Sequence, residues 1–363
     1  MNNKPLEGLR VLDLTRLLPG PFCTMYLADL GADVIKIEDT KAPDYTRDLS
    51  PEMFAVINRN KRGIQIPLRT PEGVEQLKTL VKNADVLVEQ FRPGVMEAWG
   101  IGYETLKAEN PKLVFCAITG YGQTGPYKDK AGHDMNYRGY AGELEQCGQV
   151  GGKPATGNFQ VADIAGGSLN ACIGILAAVH RANNTGEGGF VDISMTDGTL
   201  ALQVSALSRL RATGETAPRG QDMLSGGLAN YDVYECADGK HISVGSLEPK
   251  FWMGLCMAAN RPDLAKLPLG IGSTAGEQVA DFFKTKTRDE WVTLFEPADC
   301  CVGPVLTLKE SLIDEHLLAR NMIIQDQGKP SVANPLKISN FEFKLERSAP
   351  TPGEHNDEIL GKT

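Results

Sequence analysis

The sequence predicts an α/β protein built on a parallel β-sheet, and three observations support this prediction. Short apolar runs recur through the first half of the chain. Segments of helical length lie between them. Each apolar run is continuous rather than alternating, which is typical of strands that are covered on both faces. The chain has 363 residues, of which 42% are hydrophobic, so it can bury a large core and is long enough for two domains.

The strands predicted for this sheet share a continuous apolar run and are, in chain order, residues 9–14, 34–37, 64–67, 86–88, 113–118 and 190–193. The helices predicted around them are residues 21–30, 70 to about 82, 103–109, 164–180 and 198–211. The clearest helix start is at Thr70, because Thr is a good N-cap and Pro71 suits the first helical position. Gly31 marks the end of the first helix.

Beyond the sixth strand the composition changes, which predicts a linker and a second, smaller domain. Residues 213–227 are polar and rich in Gly and Pro, as linkers are. Two apolar runs, 231–236 and 241–244, then flank Ala-Asp-Gly, a pattern that predicts a β-hairpin. Further helices are predicted near residues 249–260, 276–284 and 289–294.

Charge and cysteine usage narrow the possible functions. The net charge of −9 argues against binding of nucleic acid or an anionic membrane by the whole molecule, so a local basic cluster must meet any anionic ligand. The eight cysteines contain no C-x-x-C pair, which argues against a zinc site or a disulfide framework. The sequence contains no apolar run of about 18 residues, so no membrane span is predicted. Neither a signal peptide nor a peroxisomal address is seen, so the expected location is the cytoplasm.

The segment 120–125 reads G-x-G-x-x-G and follows the fifth predicted strand. A dinucleotide site would need a helix directly after the glycines and an acidic residue about 20 positions further on, at the end of a second strand. The polar and aperiodic residues 126–130 follow instead. The motif therefore predicts a tight turn that leads to an active-site loop.

His133 is the histidine best placed for chemistry among the five in the sequence. It alone follows a glycine on a loop beyond the C-terminal end of a predicted parallel strand, where ligands bind in open α/β sheets. A neutral imidazole there can accept a proton near neutral pH. The alternative is that His133 only caps the next helix. Asp134 is interpreted as the cap of a helix over residues 135–143.

Asp163 stands among apolar residues, with Gly166 and Gly167 shortly after it. This pattern predicts a helix N-terminus that other backbone segments approach closely. Burial raises the pKa of a carboxyl group, whereas the helix dipole lowers it, and the sequence does not decide between them. The alternative is that Asp163 is a capping residue without a chemical role.

A basic cluster at residues 58–62 (Asn-Arg-Asn-Lys-Arg) contrasts with the acidic composition of the chain. Arg92 follows a strand end, and Lys128 and Lys130 flank the His133 loop. Several phosphate groups would need local cationic recognition of this kind. The alternative is a solvated run of charges.

These segments together resemble the family III CoA-transferases (CaiB/BaiF-like) and, within that family, the α-methylacyl-CoA racemase branch. The resemblance covers almost the whole chain and includes the segments LRVLDLTRLLPGPFCTMYLADLGADVIKIE, NRNKRG, FRPGV, GYGQTG, AGHDMNY, VADIAGG, APRGQDMLSGG, SLEPKFW and CVGPVLTLKE. Of these, AGHDMNY and SLEPKFW are similar to the racemase branch in particular.

The resemblance implies that His133 and Asp163 are the two catalytic acid/bases and that Glu248 orients His133. It implies that the phosphates of coenzyme A are met by the basic cluster, in particular by Arg59, Lys61 and Arg62. The other residues implied to contact the CoA ester are Arg92, Gly132, Asp134, Asn136 and Tyr137. In one departure, Asp39 replaces an Arg that contacts the nucleotide in relatives. Either Lys41 compensates for this Arg or the contact is absent.

The implied reaction is racemisation of 2-methylacyl-CoA thioesters by 1,1-proton transfer through an enolate. The alternatives are a CoA-transferase in which Asp163 is the acyl-accepting nucleophile and a protein that binds acyl-CoA esters without catalysis. No metal or redox cofactor is expected, because coenzyme A is part of the substrate. The implied fold is an interlocked homodimer of chains that each have a Rossmann-like large domain and a small α/β domain on long linkers. The large domain would comprise residues 1–198 and 325–363 and the small one 228–315. Residues 199–227 would form a helix and linker between them, and residues 316–324 a return linker.

Overall fold

The computed structural model describes residues 4–361 and contains the predicted sheet. The strands of the described chain are β1 Arg10–Asp13, β2 Asp33–Asp39, β3 Arg62–Ile66, β4 Val86–Glu89, β5 Val114–Thr119, β6 Gly189–Ser194, β7 Tyr231–Glu235, β8 His241–Gly245, β9 Val302–Pro304, β10 Ile323–Asp326 and β11 Lys329–Val332. The first six form one sheet in the order β3-β2-β1-β4-β5-β6, and every neighbouring pair is parallel. This is the doubly wound order, whose direction reverses between β1 and β4.

The helices of the described chain are α1 Pro19–Asp29, α2 Thr46–Leu49, α3 Pro51–Ile57, α4 Pro71–Val81, α5 Val95–Ala98, α6 Tyr103–Glu109, α7 Asp134–Ala141, α8 Glu143–Gln146, α9 Asn170–Thr185, α10 Met195–Ala201, α11 Val204–Thr213, α12 Pro249–Ala258, α13 Ala275–Phe283, α14 Arg288–Phe295, α15 Leu308–Ser311, α16 Glu315–Ala319 and α17 Asn356–Ile359. A π-helix, Val161–Leu169, precedes α9, and a 3₁₀ turn spans Leu264–Lys266. The predicted cap at Thr70 is confirmed, because its hydroxyl accepts a hydrogen bond from Gly73 N at 3.2 Å.

Both faces of the sheet are covered, as the continuous apolar strands predict. Successive side chains of a strand point to opposite faces, so Val11 and Leu12 of β1 belong to different core clusters. Helices α1 and α9 cover one face, and α4 and α6 cover the other. All eight cysteines are free thiols in this structure.

The chain forms two compact units. One contains Met1–Gly142, Gly157–Leu202 and Glu315–Thr363, and the other contains Glu143–Thr156 and Gln203–Asp314. The first unit holds the six-stranded sheet. The second holds the antiparallel strands β7–β9 and a core shared with α12–α14. Its hairpin β7–β8 has the predicted antiparallel pairing.

The boundaries of the units differ from the predicted ones. Residues 143–156 belong to the second unit rather than to the sheet-containing one. The segment 199–227 begins with helical structure, as predicted, but the predicted helix 198–211 is divided between α10 and α11. The predicted return linker 316–324 overlaps α16 and β10.

The predicted helix 164–180 is part of a longer helical stretch, Val161–Thr185, which begins as the π-helix. π-Helical turns are rare and often occur at functional sites. This one packs closely on α10, because a Cβ atom at Gly198 would overlap the carbonyl oxygen of Gly166. Within residues 4–361, this stretch alone is long and apolar enough to cross a membrane, a test that core helices of soluble proteins also pass.

Candidate active site

A cavity of about 490 Å³ opens where β1, β4 and β5 end. The segments that follow these strands line it, together with α7 and the π-helix. Among the residues predicted to form the site, those that line this cavity are Arg92, Gly132, His133, Asn136, Tyr137 and Asp163. Parallel strands end at the same edge of their sheet, which explains how residues so far apart in sequence meet here.

His133 is the exposed N-cap residue of α7, so the capping alternative describes its backbone position correctly. Its backbone N–H donates to Asn136 Oδ1 at 3.1 Å, and its carbonyl oxygen accepts from Asn136 N at 2.8 Å. The Tyr137 hydroxyl donates to Gly132 O, which ties the preceding loop to α7. These bonds fix the backbone of His133 at the rim of the cavity.

Asp163 lies in the first turn of the π-helix, as the sequence predicts for a helix N-terminus. Burial raises the pKa of its carboxyl group to about 7, and the negative charge of Asp134 adds to the rise. Burial therefore outweighs the helix dipole, a balance that the sequence leaves open. A group with a pKa near neutrality can both accept and donate a proton under physiological conditions.

Asp134 does not cap the helix that begins at its own position, so that interpretation is wrong. Its Oδ1 atom accepts hydrogen bonds from the backbone N–H groups of Ala162 at 2.7 Å and Asp163 at 3.2 Å. These are donors of a first helical turn that have no partner within the helix. Its Oδ2 atom lies 3.6 Å from Arg138 Nη1. Asp134 thus fixes the start of the π-helix and places a negative charge beside Asp163.

Arg59 and Lys61 are buried, and this contradicts their predicted contact with phosphates. Arg59 is 3% exposed; its Nη2 lies 2.7 Å from Asp29 Oδ2, and its Nη1 donates to Val332 O. Lys61 is fully buried, with its Nζ 2.9 Å from Asp13 Oδ2. Neither cation can reach a phosphate without leaving a carboxylate buried and unpaired. Both residues stabilise the fold instead.

Arg62 does not line this cavity, and Glu248 belongs to the second unit. Arg62 pairs with Asp33 of β2 and with Glu358 at 2.6 and 2.7 Å, and it lines a separate cavity of about 200 Å³. Glu248 is the exposed N-cap residue of α12 in the second unit. Its orienting role toward His133 stays a prediction.

Two cationic residues that the sequence analysis does not single out lie at this edge of the sheet. Arg16 lines the cavity, with its guanidinium carbon 4.9 Å from the ring centroid of Phe91. Arg69 lies 4.0 Å from Asp39 and 5.3 Å from the ring centroid of Trp99. Each arginine stands just beyond a predicted strand. That position at the carboxyl edge is the signal by which the sequence could have revealed them.

Residues 6–356 match the family model described as CoA-transferase family III. The chain is 36% identical to the α-methylacyl-CoA racemase of Homo sapiens, over 98% of this chain and 92% of that protein. It is 33% identical to the succinyl-CoA–D-citramalate CoA-transferase of Chloroflexus aurantiacus, over 98% and 93% of the two. A solved structure of a CaiB/BaiF family protein from Brucella suis is 31% identical, covers 99% of both chains and gives a TM-score of 0.86. The resemblance found in the sequence is thereby confirmed, and the chain belongs to the family III CoA-transferases.

Proposed function

We propose that the chain is an α-methylacyl-CoA racemase, which inverts carbon 2 of 2-methylacyl-CoA thioesters. The observation that carries the proposal is that His133 and Asp163, an imidazole and a carboxyl group, line one cavity. One base removes the α-proton from one face, and the conjugate acid of the other returns a proton on the opposite face. Each group is therefore an acid in one direction and a base in the other. The reaction needs no metal or redox cofactor, because coenzyme A arrives with the substrate.

The enolate oxygen formed in this reaction needs hydrogen-bond donors, because a thioester α-proton is too weakly acidic for an unaided side chain. The N–H groups of Ala162 and Asp163 already donate to Asp134. At the start of α7, the N–H groups of Asp134 and Met135 have no acceptor among residues 4–361. We propose that these two N–H groups, at the start of a helix whose N-cap residue lines the cavity, donate to the oxyanion. One donor of this kind is worth about 3–4 kcal/mol in the transition state.

A CoA-transferase with Asp163 as nucleophile is the second candidate, because the transferase of Chloroflexus aurantiacus has nearly the same identity as the human racemase. A nucleophilic carboxylate must be ionised. Burial raises the pKa of Asp163 to about 7, which disfavours the ionised form but suits a group that works in both directions. Anhydride formation also gives His133 no required role. Both points favour the racemase.

The racemase and the transferase differ in where the acyl group travels. We expect either pure enantiomer of a 2-methylacyl-CoA in heavy water to gain one deuterium at C2 while it loses optical purity. We also expect Asp163 to remain unmodified after incubation with acyl-CoA and hydroxylamine, because the acyl group stays on coenzyme A. Mass spectrometry of substrate and protein measures both.

A trapped Asp163, or transfer of coenzyme A to an added free acid without labelling at C2, would favour the transferase instead. If neither labelling at C2 nor transfer of coenzyme A is observed, the protein only binds CoA esters. The heat-inactivated protein, incubated in the same way, controls for uncatalysed exchange.

We also propose the interlocked homodimer that the resemblance implies. Helices α9, α10 and α11 each expose large apolar side chains, including Ile173 at 67%, Leu200 at 60% and Val204 at 71%. Exposed apolar side chains of this kind often mark an interface. We expect sedimentation to give the mass of a dimer that does not dissociate on dilution, since interlocked chains cannot separate without unfolding. A freely dissociating monomer with full activity would contradict this assembly.

A further inference from the structure

Arg16 is held in a fixed position by bonds on both sides of it. Lys36 Nζ donates to Thr15 O at 3.0 Å, and Asp44 Oδ1 accepts from Leu17 N at 3.2 Å. Lys36 and Asp44 are themselves a fully buried ion pair, 3.0 Å apart. Leu17 has a φ of 61°, which is a strained backbone conformation for a leucine. A buried ionic pair thus holds a strained turn that directs Arg16 toward the cavity.

The guanidinium of Arg16 has aromatic neighbours but no anionic one. It lies 4.9 Å from the ring centroid of Phe91 and 5.8 Å from that of Tyr45. No carboxylate or hydrogen-bond acceptor pairs with its side chain anywhere in residues 4–361. Aromatic faces stabilise a half-buried cation and fix its plane, but they leave its N–H donors unused.

The acidic residues that share a small adjoining cavity with Arg16 already have partners. Glu38 forms a two-pronged ion pair with Arg47, with contacts of 2.6 and 2.9 Å. Asp44 pairs with Lys36. Asp39 accepts hydrogen bonds from two backbone N–H groups of its own turn. None of these carboxylates is available to neutralise Arg16, so an anion from outside the chain fits there.

The turn that carries Arg16 is tied to the segment that carries Asp163. The Ser168 hydroxyl lies 2.6 Å from Pro19 O and 2.9 Å from Asp163 O. Arg16 therefore lines the same cavity as the reacting carboxylate, on a wall joined to it. Three other cations, Arg92, Lys128 and Lys130, line the cavity from other segments and can meet the phosphates of coenzyme A.

We infer that Arg16 selects substrates whose acyl chain carries a carboxylate, so that the substrate class is the CoA monothioesters of 2-methyl dicarboxylic acids. This inference rests on the proposed function, because it places the acyl chain beside Asp163. The planar guanidinium binds a carboxylate through two parallel N–H donors, with the ring of Phe91 behind it. An apolar acyl chain would leave the cation half-buried and unpaired, which is unfavourable.

The test compares α-proton exchange of short 2-methyl dicarboxylic monothioesters with that of the same esters bearing a terminal primary amide. The amide has the same shape but no charge. We expect the wild type to prefer the carboxylate by about tenfold to a hundredfold in kcat/KM, as a charged hydrogen-bonded pair provides. Arg16→Gln should remove this preference, chiefly through KM. Arg16→Lys should keep part of it, because the charge remains but the two-pronged geometry does not.

Two controls separate charge from position. Arg320→Gln removes the same charge from an exposed residue that does not line the cavity, and it should leave the preference unchanged. Free coenzyme A should bind Arg16→Gln as it binds the wild type. Equal weakening of both esters and of free coenzyme A would mean that Arg16 meets phosphates, and it would overturn the inference, as would a wild type without preference.

Calorimetry of the Asp163→Asn variant with the carboxylate ester and the amide ester measures the contribution of Arg16 to binding without catalysis. If the wild type exchanges no α-proton but this variant still binds the carboxylate ester more tightly through Arg16, the racemase proposal fails and the inference about the carboxylate stands. If exchange occurs without discrimination, the inference fails and the racemase stands.

Discussion

Asp163→Asn should strongly reduce racemisation of both enantiomers of a 2-methylacyl-CoA ester while proton exchange survives in one of them. The amide keeps the shape of the side chain but cannot accept the proton. His133 can still remove a proton from its own face and return a deuteron to that face. The enantiomer whose α-proton faces His133 therefore gains deuterium without inversion. We expect racemisation to fall by about 10²–10⁴, the usual contribution of a general acid–base group.

His133→Ala should give the complementary result, because Asp163 remains as the single base. Racemisation should again be lost, and exchange should survive only in the other enantiomer. C2 labelling and optical purity of each pure enantiomer in heavy water measure both variants. Exchange of the same enantiomer by both variants would contradict a two-base mechanism, as would racemisation at the wild-type rate by either one. Circular dichroism establishes that each variant is folded.

The pH dependence of exchange in His133→Ala reports on Asp163 alone. Burial, with the charge of Asp134 added, raises the pKa of Asp163 to about 7. The base must be ionised, so exchange should rise with pH and level off above about pH 7. Tyr137 and Arg92 line the same cavity and are both retained in the His133→Ala variant.

Asp134→Asn in the same background should move this rise to lower pH, because it removes the negative charge beside Asp163. The amide oxygen can still accept the N–H groups of the π-helix. Asp129→Asn is the matched control, since Asp129 is exposed and does not line the cavity. If the pH profile of the Asp134→Asn variant is unchanged, Asp134 does not have this electrostatic effect on Asp163.

The sheet could be predicted because both of its faces are covered, which makes its strands continuously apolar. The strands lie where the sequence predicts them, with shifts at the ends. One such shift is in β3, which begins at Arg62 rather than at residue 64. The backbone of Arg62 pairs with Ile35 of the neighbouring β2, and its side chain forms an ion pair with Asp33 of the same strand. A polar pattern alone does not reveal a pair between residues so far apart in the chain.

The same physics explains which site residues could be predicted. The sequence predicts that His133 and Asp163 lie close together, because loops at one edge of a parallel sheet converge and the sequence shows which loops these are. It does not show that Arg59 and Lys61 are buried, because a buried cation and a solvated one look alike in sequence. The acidic partners, Asp29 for Arg59 and Asp13 for Lys61, lie in the segment from β1 to the end of α1. Only the folded structure pairs them.

Lys61→Met should destabilise the protein strongly, because it leaves the carboxylate of Asp13 buried without its partner. Burial opposes ionisation of both groups, but Lys61 and Lys36 hold the pKa of Asp13 well below its usual range. Burial lowers the pKa of Lys61 to about 8 despite the attraction of Asp13, so the pair is charged at neutral pH. Loss of one member of a buried ion pair costs about 3–5 kcal/mol. Urea unfolding of the variant and the wild type measures the difference.

Lys82→Met is the matched control, because Lys82 is an exposed lysine 3.5 Å from Glu109. A surface pair contributes about 0–1 kcal/mol, so this variant should unfold close to the wild type. Asp13→Asn combined with Lys61→Met should recover part of the loss, since no charge then remains unpaired at that position. The double variant also keeps the test decisive if Lys61→Met alone does not fold. A Lys61→Met protein as stable as the wild type but weaker in binding coenzyme A would restore the phosphate role for this lysine.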